Sequence, residues 1–367
     1  MLNSYLNFGD QVAASETKYV YQEIKSPAAS GAGLPSLPAD SVAAFGKKNN
    51  IRILYLAESF NTVSMLDRIK GCMLGAAVGD ALGMPNESTM PGLSKMRYGF
   101  RKAYKGHPND GLAPGQYTDD TQIMILVATL LADGKYTDER YGLALKECYS
   151  REVLRFPDGS VSAACDHMVA GQAKSSGVKS TTAGCLPAAL PFALAYSDIH
   201  EAIERAVRAC TITHTHPAAH AAVSTFVTLV YCALHENGDP IGRALIQARN
   251  EDEVLGGKIH NAIELEKEGI ETETAILKIG NDVSLYQTLP IAFFLISRYE
   301  RPADLLTVAA HVGGNTDTIG FLCGAYLGAS RGVGAIPADL LEGLEDRQRI
   351  EILGQRIFDI YTRKLER

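Results

Sequence analysis

Two short stretches place hydroxyls and carboxylates side by side: Tyr117-Thr118-Asp119-Asp120-Thr121 and Gly313-Gly314-Asn315-Thr316-Asp317-Thr318. Each is followed by an apolar run with helical spacing, so each lies at a helix N-terminus. A lone Thr or Asp there serves as a cap, its oxygen accepting an orphan backbone N–H. Capping does not account for consecutive carboxylates, which repel one another unless a cation lies between them, nor for the return of the same composition far along the chain. Hard oxygen donors of this kind suit Mg²⁺ or Mn²⁺. Two such clusters can hold two ions roughly 3.5–4 Å apart, an arrangement that clamps a reacting oxygen and activates water.

The elements that must position these clusters are helices. From Met65 onward, Leu66, Ile69, Met73, Leu74, Ala77 and Val78 recur at spacings of three and four. The same period predicts helices over about 121–133, 141–155, 161–173, 185–196, 200–212, 217–235, 240–249, 286–299, 302–311 and 317–330, joined mostly by short Gly-, Pro-, Asp- and Asn-bearing connections. Strands and helices do not alternate and no repeat is visible, so the expectation is an all-α domain over 65–367, a compact orthogonal multi-helix bundle, after an N-terminal extension, 1–64.

Composition narrows the function. The 367 residues are 46% apolar, enough for one large core, and 35 basic against 42 acidic residues give a net charge of −7. That disfavours a nucleic-acid partner, which calls for a basic face. The seven cysteines, Cys72, Cys148, Cys165, Cys185, Cys210, Cys232 and Cys323, form no CxxC pair and mostly sit among apolar residues. With no basic-then-apolar leader and no run of 18 apolar residues, neither export nor membrane insertion is expected; the expected location is the cytoplasm.

Four features in order resemble the ADP-ribosylglycohydrolase family, which includes the dinitrogenase reductase-activating glycohydrolases. They are Gly71–Glu87 with its Gly79-Asp80-Ala81-Leu82-Gly83 signature; Thr118-Asp119-Asp120-Thr121; Thr211-Ile212-Thr213-His214-Thr215-His216-Pro217; and Gly313–Gly320 continued by Gly324–Ala329. The resemblance covers about 65–340. It implies an all-α hydrolase that removes ADP-ribose from modified protein, arginine-linked by preference, since a guanidinium leaving group needs little acid help. It further implies two divalent cations, with Thr118, Asp119, Asp120, Asn315, Asp317 and Thr318 as ligands. The family usually has Asp where this chain has Asn315, which keeps a carbonyl oxygen but brings no charge. In the implied chemistry water attacks an oxocarbenium-like anomeric carbon, and Asp120, Asp317 or Glu87 takes the proton.

Supporting residues follow from the same comparison. Gly71, Gly75 and Gly79 suit close helix packing, while Gly83 and Pro85 end that helix and aim Glu87 at the site. His214, Asp158, Gly184 and Gly314 are the candidate substrate contacts, with Gly184 in a stretch, Thr181–Pro187, similar to the family's Gly-rich loop but without its usual Asn-Gly. Tyr286 and Gln287 are weaker candidates for the nucleoside side, and His311 for orienting a ligand. The extension carries seven of the 27 aromatics, a linker-like stretch from Ser26 to Asp40 and a β-prone run, Ile51–Leu56. It is read as a partner-binding arm, by analogy with family members that look like immunity proteins paired with an ADP-ribosyltransferase toxin. The rival reading is a protein that binds through this arm and has lost its chemistry at Asn315.

Overall fold

The computed structural model describes residues 63–172, 176–236 and 238–365. All of the extension but Val63 and Ser64, and with it the linker, the β-prone run and the partner-arm reading, lies outside the described residues. Among the described residues there are fifteen α-helices and no strand, so the fold is all-α.

The chain begins with α1 (Met65–Gly83), capped by the Ser64 hydroxyl, which accepts from the Asp67 N–H at 3.1 Å. A long excursion containing two single 3₁₀ turns leads to α2 (Asp119–Ala132), then α3 (Asp138–Ser150) and α4 (Gly159–Val169). After an irregular stretch come α5 (Leu190–Ala195), α6 (Ile199–Cys210) and the apolar α7 (Pro217–Leu234). A run of α8 (Pro240–Glu251), α9 (Glu253–Lys267) and α10 (Thr272–Ile279) follows, then α11 (Leu285–Arg298) and α12 (Pro302–Ala309). The chain closes with α13 (Thr316–Arg331), α14 (Ala338–Gly343) and α15 (Arg347–Leu365).

At the centre α1 lies antiparallel against α13, with α7, α11 and α15 packed around the pair. The contact is backbone on backbone. A Cβ on Gly75 would stand 2.2 Å from the Gly324 carbonyl oxygen; one on Gly79, 1.9 Å from that of Gly320; one on Gly83, 2.1 Å from that of Thr316. Gly328 answers Gly71 at 1.9 Å. Glycine at every fourth position is therefore a packing requirement, and Gly83 belongs to the ladder as much as it ends the helix. Register follows: the C-terminal end of α1 meets the N-terminal end of α13. Arg68 secures the far end of the ladder, donating to the Ala233 and Ala329 carbonyls at 3.4 and 3.3 Å and pairing with Glu236. One buried guanidinium thus meets the last carbonyls of both α7 and α13.

α7 alone among the described helices is long and apolar enough to cross a membrane, with mean hydropathy 1.5; its polar members Ser224, Thr225 and Thr228 interrupt the apolar run without breaking its hydropathy. It is 89% buried in the protein interior, as a central core helix would be.

The sequence expectation omits α9, α10, α14 and α15. α9 carries Gly256-Gly257, and α15 buries only the thin stripe Ile350, Leu353, Gly354, Ile357 and Tyr361 between charged residues. The runs expected over 141–155 and 161–173 stop at Ser150 and Val169. Beyond Ser150 the backbone turns left-handed at Glu152 and Phe156, φ 56° and 52°, and forms the loop that walls the site.

Candidate active site

The glycine ladder sets the first half of the site by placing α1's last turns beside α13's first. Asp80, fully buried, accepts four hydrogen bonds from the start of α2. They come from Thr118 N–H and hydroxyl at 3.0 and 2.9 Å and from Thr121 N–H and hydroxyl at 3.0 and 2.7 Å. That carboxylate pins α2's N-terminus onto α1 and fixes where Asp119 and Asp120 point. Thr118 also caps α2, accepting from the Asp120 N–H at 3.4 Å. Its role here is local as well as chemical: a cap whose hydroxyl proton goes to Asp80.

The loop between α3 and α4 closes over this turn. Gln122 brackets it, donating to Val153 O and accepting from Arg155 N–H, both at 2.8 Å, while Asp119 N–H donates to Arg155 O at 3.0 Å. Arg155 in turn forks onto Glu345 at 2.5 and 2.9 Å and lies over the Tyr117 ring. The loop delivers Asp158, whose Oδ1 caps α4 through Ser160 and Val161 and accepts from the Thr182 hydroxyl at 2.8 Å; its N–H donates to Asp119 at 3.3 Å.

A third wall is the segment from Val178 to Gly184. It is stapled by isolated bridges to His214 on one side and Ser284 on the other, which sets Thr182 and Gly184 facing Asp158. Gly184 has to be glycine, since a Cβ would come within 2.5 Å of Asp158 Cβ. His214 is fully buried behind this wall, its Nε2 2.9 Å from the Thr182 hydroxyl and its Nδ1 2.9 Å from that of Thr213. Burial holds its pKa below the ordinary imidazole value and outweighs the pull of Asp158 at 3.8 Å.

Opposite stands the start of α13. Its leading residue Asn315 makes no cap; the side chain donates instead to the Thr288 hydroxyl at 3.1 Å. Asp317 accepts from Thr318 N–H at 2.8 Å, and Thr318 lines the same cleft as Asp120. Gly313 and Gly314 are left-handed, φ 76° and 66°, and a Cβ on Gly314 would fall 1.4 Å from Asn281 O. Through Gly314 the turn exchanges two backbone bonds with the Glu87 loop, Ser88 N–H to Gly314 O at 2.7 Å and Gly314 N–H to Thr89 O at 2.9 Å. Glu87 follows the single 3₁₀ turn Met84–Asn86 and accepts from Asn109 Nδ2 at 2.8 Å. His107 accepts from Asn109 N–H through Nδ1 (3.0 Å), which leaves its Nε2 to donate to Glu87 O at 2.7 Å.

The result is a cleft of ≈ 290 Å³ lined by Glu87, Asp119, Asp120, Asp158, Asp317 and Thr318, with Gly184 and Asn315 also facing it. Of the residues singled out in the sequence, these eight are brought together. Thr118 stands one layer behind, His214 supports the wall through Thr182, and Gly314 faces an adjacent cavity with Asn281 and Gln287. Tyr286 turns away to Asp252, its hydroxyl donating at 3.0 Å. His311 ties the Arg97 N–H at 3.3 Å.

Among the described residues no Lys, Arg or His side chain lines the cleft. Burial lifts the Asp119, Asp120, Asp317 and Glu87 carboxyls above the usual range, and their mutual repulsion adds to it. After burial, the Glu87 charge does most to raise the Asp317 carboxyl. Asp120 Oδ2 is buried and has no hydrogen-bond partner, and such an atom in a pocket of negative charge fits a cation. Among the described residues no three His, Cys, Asp or Glu side chains are arranged to hold one ion by themselves. A cation here would draw on Thr118, Thr318 and Asn315 oxygens and on water as well as on Asp119, Asp120 and Asp317, a donor set suited to Mg²⁺ or Mn²⁺.

An all-α scaffold with an oxygen-rich acidic cleft at abutting helix ends defines the class of protein. The family profile described as ADP-ribosylglycohydrolase matches residues 61–366, and the chain belongs to that family of hydrolases. An uncharacterized protein of Archaeoglobus fulgidus is 30% identical over 304 residues, 82% of this chain and 98% of its own. The ADP-ribosyl-[dinitrogen reductase] glycohydrolase of Rhodospirillum rubrum is 29% identical over 305 residues, 80% and 95% of the two chains. A solved structure titled "ADP-ribosylglycohydrolase-related protein complex" aligns with a TM-score of 0.67 at 24% identity, covering 81% of this chain and 98% of that one, and has the same fold.

Asp80, Asn109, Thr182 and Thr288 were not assigned roles from the sequence. For Asp80 the signal was present: a carboxylate in the second half of a helix whose residues from 71 to 83 are otherwise all Gly or apolar must find several donors to be buried there.

Proposed function

We propose that this protein hydrolyses the glycosidic bond between ADP-ribose and a protein side chain, arginine by preference, with two Mg²⁺ or Mn²⁺ ions held by Thr118, Asp119, Asp120, Asn315, Asp317 and Thr318. The observation that carries the reading is the convergence of Asp119, Asp120, Asp317 and Glu87 on one cleft, where among the described residues no cationic side chain faces them and Asp120 Oδ2 has no partner. Family membership supports ADP-ribose as the group recognised, and the name of the Rhodospirillum rubrum relative supports a modified protein as its carrier. The bound ions would supply charge to hold the ribose hydroxyls and lower the pKa of a water. The chain's own part is then positional and acid–base. Asp80 and Gln122 hold the first turn of α2 and the loop over it. Asp120, raised by its neighbours, is poised to take a proton at carboxylate oxygen. Glu87 and Asp317, both raised above the usual carboxylate range by burial, stand in the same cleft to take or hold a proton beside the sugar. Acidic walls favour a cationic guanidinium over a neutral leaving group. Seven unpaired, buried cysteines fit a reducing compartment, and the cytoplasm is the proposed place of action.

The test is release of free ADP-ribose from an arginine-ADP-ribosylated protein with Mg²⁺ or with chelator, for wild type and Asp119→Ala. Metal-dependent release lost in the variant is expected. A folded wild type that releases nothing from arginine- or serine-linked substrate would overturn the reading; release from serine alone would overturn the arginine preference.

A further inference from the structure

The excursion between α1 and α2 carries a charge pattern opposite to the rest of the chain. Between Glu87 and Asp110 it holds Lys95, Arg97, Arg101, Lys102 and Lys105 and no acidic residue, in a protein of net charge −7. All five basic residues are exposed. Among the described residues none has an ion-pair partner. Interleaved with them are Met90, Met96, Tyr98 and Tyr104, 79, 40, 44 and 63% exposed. The excursion is nonetheless anchored. Tyr98 hydroxyl donates to Asp339 at 2.7 Å, Arg97 N–H to His311 at 3.3 Å, and Gly92 N–H to His311 O at 2.9 Å. It leaves from Glu87 and returns to it through His107 and Asn109, so the segment that bears the basic surface begins and ends at a residue lining the cleft.

We infer that this surface docks an acidic segment of the protein that carries the ADP-ribose. Unpaired cations mixed with exposed Tyr and Met have the composition of a protein-binding surface rather than of a solvated loop. On the proposed reading the cleft takes the ADP-ribosyl group, and the excursion supplies a second contact for the polypeptide that carries it, with charge complementary to an acidic chain. The inference rests on the proposed hydrolase reading for the identity of the ligand, and it names the kind of sequence that surrounds the modified side chain.

The experiment compares three substrates: ADP-ribosyl-arginine as a small molecule, an ADP-ribosylated arginine peptide flanked by Asp and Glu, and the same peptide flanked by Ser and Gly. They are given to wild type and to the variant Lys95→Glu, Arg97→Glu, Arg101→Glu, Lys102→Glu, Lys105→Glu. Wild type should favour the acidic peptide about tenfold in kcat/KM, through KM, with the preference fading as salt rises. The variant should lose that preference and keep its activity on ADP-ribosyl-arginine, which also reports that it is folded. Equal use of both peptides by wild type, or an unchanged preference in the variant, overturns docking while leaving hydrolysis standing. Should wild type cleave none of the three, hydrolysis of the arginine linkage falls. Docking is then decided by fluorescence anisotropy with the unmodified acidic peptide: binding lost in the variant sustains it, no binding overturns it. A DNA oligonucleotide of equal charge that displaces the peptide at lower concentration than a second acidic peptide would assign the surface to nucleic acid and overturn the proposal.

Discussion

At the scale of single residues, Asp80 and Asn315 carry opposite lessons. Asp80 never enters the cleft, yet it accepts four bonds that orient α2, and its position admits only an acceptor. Asp80→Asn would turn an amide NH₂ toward groups that are all donors. The expected loss is about 2–3 kcal/mol from the unsatisfied buried groups, read by urea denaturation of the metal-free protein; a variant as stable as wild type would remove Asp80's anchoring role. Asn315, at the mouth of the second cluster, spends its amide on Thr288. Asn315→Asp can accept from the same hydroxyl and adds a negative charge to the donor set. Divalent-cation affinity should rise about tenfold, since charge count among oxygen ligands tunes binding; isothermal titration with Mn²⁺ measures it, and an unchanged affinity would put residue 315 outside the ligand set.

At the scale of elements, the ladder between α1 and α13 decides the geometry. Gly79→Ala would put a methyl 1.9 Å from the Gly320 carbonyl oxygen, and neither helix can yield without moving the ends that form the site. Overpacking of this kind costs about 1–3 kcal/mol or more. The expected outcome is a lower melting temperature together with weaker Mn²⁺ binding, whereas Gly111→Ala, in open space, should change neither. This is also where the sequence was most and least readable. The two clusters, Glu87 and the i, i+4 glycines were visible because charge repulsion and the absence of side chains leave direct traces in composition. The partnership of α1 with α13 was not, because a glycine row says that something approaches closely without saying what. The wall at 151–158 was hidden for a different reason. Val153 and Leu154 continue the apolar period of α3, and only the left-handed turns at Glu152 and Phe156 divert the chain. Nor did the sequence distinguish His214 as a substrate contact from His214 as a support for Thr182, since that depends on which side of a segment a ring packs.

For the whole molecule, the acidic cleft ties stability to pH and to cations. The Asp119, Asp120, Asp317 and Glu87 carboxyls stand above their unfolded values of about 4. The metal-free fold therefore binds more protons than the unfolded chain, so its stability falls as pH rises from about 4 through the raised folded values. Between pH 5.5 and 8 the melting temperature of chelated protein should drop. Mg²⁺ should remove most of that slope, adding about 2.7 kcal/mol at a hundredfold excess over Kd. A flat profile that Mg²⁺ leaves unmoved would count against any cation in the cleft. The thiols give an independent check. Burial raises Cys148 and Cys165 to about 12, and all seven cysteines are buried. A thiol reagent at pH 8 should find none in the native protein and all seven in denaturant; fast native reaction at any of them would mark a local opening.

The bare contact between α1 and α13 also bears on how such a protein can diversify. Where glycine meets glycine, the spacing of α1 from α13 is gauged by the radius of the peptide backbone, and Asp120 is tied to that gauge through the single Asp80 carboxylate that holds α2. New substrates are then accommodated by rewriting what hangs from it, the wall at 151–158 and the excursion at 88–109, while the spacing of the two helix ends is inherited unchanged.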